Sequence, residues 1–458
     1  MELKGISEFR KDLEIIQNFQ RKMISIISCV KSQISSTNQI NELFDFFEEI
    51  SISKHFSLYE AFLRIFVHLS IYFNFPETKE EEIITKRQEI FFLVLKELIL
   101  KHSLKTSISQ LTLFLIFQSN PHFLLFLFEE GIFDVSFLSR KIFIISRKKF
   151  SSFQEKNLLL FLIPEIKKLN LKFYGKSTNQ LSSIEEYIDT FYEESKGIST
   201  TEEDSKNEQE FENHSGNRSK IHSEEEIAKI IRTDDVDYFM EFISRIDNFD
   251  LDSKIQPSFL ENNPDINNSY NYDNQGINIL EYSMAFGSIN IYRYLLLNKV
   301  KYSKESLKYC LIGNNYEILH HLEEETKIEF DKNCYLQCIE YYHPEIIEYF
   351  LNYSNDQSKD ISKEMNSLSI SSIINIFHET TNIEILFEFF SNKSIFPHSK
   401  IDEFHYFSSL NNFSSAFDIN KILLNLWKSS KSPFYFIYFF LLQQSNIDIN
   451  SKDNIFCF

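Results

Sequence analysis

The sequence predicts an all-α fold in two parts, helical hairpins followed by a helical repeat, and three observations predict it. From Ser7 to about Leu171 apolar residues recur every three or four positions, the spacing of one helix face. No strand-like alternation persists beyond a few residues. The C-terminal half then repeats its own pattern, and short periods of that kind belong to stacked helical units.

Leu13, Ile16, Phe19, Met23, Ile26, Ile27 and Val30 mark the first helix. Further helices are expected over roughly 39–50, 56–75, 80–102, 108–118, 122–130, 134–147 and 155–169. Asn74-Phe75-Pro76, Ser119-Asn120-Pro121 and Glu130-Gly131 supply turn and proline punctuation between them. Residues 1–176 therefore read as one domain of stacked hairpins.

From 177 to 222 the chain turns acidic and polar, and between 177 and 226 fourteen acids face four bases. Such a stretch buries too little apolar surface to offset ordering, so Glu194 to His222 is expected as a disordered linker. Thr200 and Thr201, each with an acid three residues on, are candidate phosphorylation sites. Just before the linker, 140–176 holds ten bases against Glu155 and Glu165. Three readings apply to that stretch: a solvated helical face, a dock for the acidic linker, or a site for an anionic lipid or nucleic acid. Ser223 and Glu226 have the spacing of a capping box, opening the domain assigned to 223–458.

Five segments of that domain align on their starts, at Asp235, Ser288, Asn315, His343 and Asn382. Their third column is Asp237, Asn290, Glu317, Glu345 and Glu384, acidic or amide residues suited to the positive end of a new helix. Tyr238, Ile291, Ile318, Ile346 and Ile385 follow, with Phe242, Leu295, Leu322, Phe350 and Phe389 four residues on, and both columns read as core. The starts are 53, 27, 28 and 39 residues apart, consistent with a unit of about 30 residues carrying insertions, one of them at 248–275.

Asp273-Asn274-Gln275-Gly276-Ile277-Asn278-Ile279-Leu280-Glu281-Tyr282-Ser283-Met284-Ala285-Phe286-Gly287 is the best-formed unit. It resembles the ankyrin repeat: Gly276 and Gly287 keep the family spacing, Leu280 matches the core leucine, and Ser283 the small residue at the helix contact. Cys310 and Cys338 share that small-residue column. Asn278-Ile279-Leu280-Glu281 stands where the family has Thr-Pro-Leu-His, and later units lack most glycines, so the likeness is to degenerate repeats. The stretch from Ile227 to Leu351, preceded by an acidic linker and a helical N-terminal region, is similar to divergent ankyrin-like proteins expanded in some anaerobic protists. The resemblance implies an ankyrin-like repeat solenoid acting as a protein-binding scaffold or adaptor, with no catalytic, cofactor or metal residues to carry over. Recognition would fall to loops and first helices, at Asp273, Asn274, Asn278, Glu281, Tyr282, Lys304, Lys308, Asn333, Tyr335 and Gln337.

Other classes are disfavoured by what the chain lacks. A net charge of -19 repels polyphosphate, which argues against nucleic acid as the default partner. The eight glycines have neither dinucleotide-turn nor phosphate-loop spacing. The twelve histidines form no H-E-x-x-H, and Cys334 and Cys338, one helical turn apart, lack further ligands for a closed zinc site, so they read as core thiols. The start has no apolar signal core, and the longest apolar run, Phe434 to Leu442, is too short to span a bilayer. That run is expected as a buried last helix against Ile422, Leu423, Leu424 and Trp427. A cytoplasmic, non-enzymatic protein is the resulting expectation, with a regulatory or targeting subunit of an enzyme complex as the alternative.

Overall fold

The structure is a computed structural model and describes residues 5–31, 33–73, 81–146, 153–162, 165, 218, 220–267, 276–326, 332–353, 370–390 and 434–443. Among them the fold is mostly helical, with one two-stranded sheet. Contacts divide the chain into two compact units, Met1–Ile108 with Ser283–Phe458, and Ser109–Tyr282. Composition divides the sequence at 176 and 223, whereas contacts group the first helices with the last, and the boundary at 282/283 falls within the helix Ile279–Ala285.

In the first unit α1 (Ile6–Ser28) buries Phe9, Leu13, Ile16, Phe19, Met23, Ile26 and Ile27 along one face. That row packs against α2 (Gln33–Glu49) and α3 (Phe56–Tyr72). Phe19 lies 4.6 Å, centroid to centroid, from Phe62, so aromatic rings fill the space that smaller side chains would leave open. α4 (Glu81–Leu100) and the short α5 (Leu104–Ser107) complete the N-terminal part of this unit.

The second unit begins with α6 (Gln110–Phe117), α7 (Pro121–Glu129), α8 (Val135–Ser146) and α9 (Phe153–Phe161). α6 and α7 have side-chain caps, Ser109 accepting from the Thr112 amide at 3.1 Å and Asn120 from the Phe123 amide at 3.2 Å. α10 (Glu226–Thr233) and α11 (Val236–Ser244) follow. The expected capping box does not form. Ser223 is buried and its hydroxyl accepts the Glu225 amide at 3.3 Å, so the helix starts after Glu225, whose carboxylate accepts the Gln256 amide instead.

The insertion contributes packed structure over its described part. β1 (Lys254–Ile255) pairs antiparallel with β2 (Ile277–Asn278). Gly276 turns the chain into β2 with a φ of 72°, where a Cβ would strike the Ile255 carbonyl oxygen. Asn267 is buried but fully engaged, accepting from Ser258 and donating to the Ser258 and Glu261 carbonyls at 2.8 Å.

α12 (Ile279–Ala285) and α13 (Ile289–Leu297) form a helix pair, as do α14 (Leu307–Ile312) with α15 (Tyr316–Thr326), α16 (Lys332–Glu340) with α17 (Pro344–Tyr353), and α18 (Ile370–Thr380) with α19 (Ile383–Phe390). Their turns share one backbone device. Gly287, Asn314, Tyr342 and Thr381 have φ of 61°, 47°, 59° and 57°, and Asp234 between α10 and α11 has 54°. Each of these residues immediately precedes an aligned repeat start. A left-handed residue ends one helix and re-aims the chain into the next; at Gly287 and Tyr342 the following amides reach back to Ser283 O and Cys338 O at 2.8 and 2.9 Å.

The starts also link successive pairs within the first unit. The Asn315 side chain donates to Gly287 O at 3.2 Å, His343 Nε2 lies 3.3 Å from Ile312 O, and Asn382 donates to Ile339 O at 3.0 Å. A Cβ on Gly313 would run into the Met284 carbonyl oxygen, so the close approach of these two turns requires that glycine. Ile291, Ile318, Ile346, Leu295 and Leu322 are core as expected. Tyr238 is not: it is 38% exposed and donates to Glu226, while its neighbour Phe239 takes the buried position.

The run beginning at Phe434 forms α20 (Tyr435–Leu442). Its described contacts include Phe9, whose ring stacks 4.1 Å from Phe440, Phe377 of α18, whose ring lies edge-on to Phe436, and α3, where buried Glu60 accepts the Tyr435 amide at 3.1 Å. The expected neighbours Ile422 to Trp427 lie outside the described residues. No described helix is long and apolar enough to cross a membrane.

Candidate interaction surface

The ten loop and first-helix candidates divide between the two units. Asp273 and Asn274 lie outside the described residues. In the unit ending at Tyr282, Asn278 caps α12 by accepting the Glu281 amide at 2.7 Å, and Glu281 is half-buried. In the other unit Lys304 opens the 3-10 turn Lys304–Ser306, Lys308 holds its ammonium 4.6 Å from the Tyr309 ring, and on α16 Asn333 is exposed and Gln337 half-buried.

Two candidates are core residues. Tyr282 is 1% exposed, its hydroxyl accepting from Arg232 at 2.8 Å, and burial pushes its phenol up to about 12. Tyr335 is 3% exposed. Both stand on first helices at positions that face inward, and a tyrosine ring fills core space wherever its hydroxyl finds a partner.

The second helices carry polar and aromatic contacts mostly outside the aligned columns. Arg293 on α13 pairs with Glu317 on α15. The Tyr292 ring stands edge-on to His321, and the Tyr349 ring on α17 stands edge-on to both Tyr316 and His320, centroids 6.3 and 5.3 Å away. The Tyr349 hydroxyl donates to Glu323 Oε2 at 2.6 Å, and His320 Nδ1 lies 3.3 Å from the same hydroxyl. A sequence signal exists for these contacts: Tyr292 and His321, like His320 and Tyr349, are 29 residues apart, close to the repeat spacing.

The other unit holds a polar clasp. α7 places His122 with Nδ1 3.0 Å from Arg218 O and Nε2 3.2 Å from Leu260 O. Arg218 grips the Glu165 carboxylate with two nitrogens at 2.7 and 2.9 Å, and His222 Nδ1 is 2.7 Å from Glu261. Arg218 and 220–222, the end of the segment expected as disordered, are therefore seated in this unit by a half-buried ion pair and two imidazoles. The pair has the opposite polarity to the anticipated docking, a base of the acidic segment on an acid of the basic stretch. Of that stretch's bases, Arg140 is exposed and Lys141 lies 5.6 Å from the Phe137 ring. Thr200, Thr201 and most of 147–176 lie outside the described residues.

Cys310, Cys334 and Cys338 are buried thiols, and burial pushes Cys310 and Cys338 well above the usual thiol range. Among the described residues no three His, Cys, Asp or Glu side chains converge as a metal site. Comparison with family models, curated proteins and solved structures finds no match to this chain.

Proposed function

We propose that the chain is a non-enzymatic protein-binding scaffold or adaptor whose C-terminal half is a solenoid of degenerate ankyrin-like repeats. The observation that carries this reading is the common turn: left-handed residues at Asp234, Gly287, Asn314, Tyr342 and Thr381 coincide with the aligned starts. A repeat of sequence that is also a repeat of backbone conformation offers a row of equivalent positions at which different side chains meet a partner. Small buried residues at Ser283, Cys310 and Cys338 bring helices together, leaving polar residues such as Lys308, Asn333 and Gln337 toward solvent.

The test uses a partner purified with the full chain from its native cell. Lys308→Ala with Asn333→Ala, and Asn333→Ala with Gln337→Ala, should each weaken its binding about tenfold or more with stability changed by no more than about 0.5 kcal/mol. Leu295→Ala or Leu322→Ala, at fully buried sites, should instead cost about 2 to 5 kcal/mol. Surface pairs that unfold the protein, or that leave the affinity untouched, would defeat the reading.

A further inference from the structure

We propose that Tyr316, His320, Glu323 and Tyr349 form a socket for a lysine side chain of a partner protein, on the second helices rather than on the loops. This rests on the scaffold reading and names the chemistry of its partner.

α15 sets Tyr316, His320 and Glu323 along one face, at spacings of four and three, and α17 brings Tyr349 against them. The rings of Tyr316 and His320, each exposed and edge to face with Tyr349, offer π surface to a cation. At the base lies Glu323, whose side chain is 9% exposed. Its Oε2 accepts the Tyr349 hydroxyl, but its Oε1 is sealed from solvent and has no hydrogen-bond partner. A buried carboxylate oxygen left without a donor is costly, and an arriving N–H group removes that cost.

The count of open acceptors selects the cation. Arginine binds a carboxylate best through both oxygens at once, and here one is already taken; an ammonium is a point charge that needs only one. The His320 ring, 55% exposed, forms the outer wall and swings aside to admit the stem. The surroundings favour a basic partner. Glu324 and Glu345 on the same two helices are exposed, and Arg293 of α13 is already paired with Glu317. The whole chain carries -19, so a lysine-bearing segment is drawn toward it.

The probe is a fluorescein-labelled peptide of glycine, serine and several lysines, titrated against the full chain by anisotropy, beside versions with arginine or glutamate in place of lysine. The lysine peptide should bind, the arginine peptide about threefold or more weakly, and the glutamate peptide not at all. Glu323→Gln should cost the lysine peptide about tenfold and Tyr316→Ala, at an exposed ring, several-fold. Tyr349→Phe frees the second oxygen and should bring arginine level with lysine. Glu324→Gln is the control for general acidity, and a loss there equal to that of Glu323→Gln overturns the socket. So does unchanged binding in both Glu323→Gln and Tyr316→Ala. The purified partner separates the two readings: sensitivity to Asn333 and Gln337 changes but not to Glu323→Gln sinks the socket and leaves the scaffold standing, whereas sensitivity to neither sinks both.

Discussion

The two compact units close themselves by different chemistry. In the unit of Met1–Ile108 and Ser283–Phe458, α1 meets α19 through amides and a carboxylate. Gln20 donates to Asn382 at 2.9 Å and accepts the Ile383 amide at 3.0 Å, while Gln17 and Arg21 reach Glu384. In the unit of Ser109–Tyr282 the closing contacts run through His122, His222 and the Arg218–Glu165 pair. The first closure is built mainly of amides and a carboxylate, the second around imidazoles and an arginine–carboxylate pair. Each unit nevertheless holds a buried imidazole against a distant carbonyl, His343 on Ile312 O in the first and His122 on Leu260 O in the second.

The largest effect should come from cutting the chain. Residues on either side of the acidic segment belong to one compact unit, since α1 packs on α19 and Phe9 on α20. A specific protease site inserted after Thr201 should therefore give two fragments that co-elute under native conditions and separate only in denaturant. Gln20→Ala, which leaves the buried Ile383 amide without its acceptor and takes one donor from Asn382, should cost about 1 to 3 kcal/mol and loosen that association. Fragments that part without denaturant would break the first half of the comparison.

Acid probes the second half. Burial pushes His122 down to about 4, against the pull of the Leu260 and Arg218 carbonyls and of Glu261; Arg218 adds to the fall. In the other unit burial likewise brings His343 down to about 4, with only the Ile312 carbonyl opposing it. A histidine whose folded pKa lies below its unfolded value near 6.5 adds stability that is fully present above about pH 6.5 and lost as pH falls toward about 4. Each site should thus cost on the order of 3 kcal/mol across that window, read as a falling urea midpoint. His343→Gln keeps a donor for Ile312 O and cannot titrate, so it should remove about half of the fall. A fall of unchanged size in that variant would assign the whole effect to the His122 clasp and sharpen the contrast between units.

The repeat was legible in the sequence because its cause is local. Acidic or amide residues at Asp237, Asn290, Glu317, Glu345 and Glu384 follow each turn, and isoleucines at 291, 318, 346 and 385 face the core, so the alignment lands on the left-handed residues. Inside and outside were less legible for tyrosine. Tyr238 and Tyr282 differ in what their neighbours offer, an exposed Glu226 for one and Arg232 beside a fully buried site for the other, and no period encodes that. The meeting of Gln20 with Asn382 spans 362 residues, a separation at which helix periodicity carries no information. Arg218 was hidden by its surroundings. Composition averages over a window, whereas one arginine with a half-buried carboxylate is enough to seat its segment.

The smallest expected effect compares two ion pairs of the first unit. Arg21 binds Glu384 through two nitrogens at 2.6 and 2.8 Å, and that carboxylate also accepts from Gln17, so the arginine adds to a site already ordered by buried amides. Arg293 and Glu317 are each more than half exposed, and holding two long side chains together in water returns little beyond the entropy it costs. Arg293→Ala should lower stability by no more than about 0.5 kcal/mol, and less in high salt, while Arg21→Ala should cost about 1 kcal/mol and depend less on salt. Chemical denaturation at low and high salt measures both. An Arg293 effect as large as that of Arg21 would mean that the links between successive second helices contribute as much to this unit as the closure of α1 on α19.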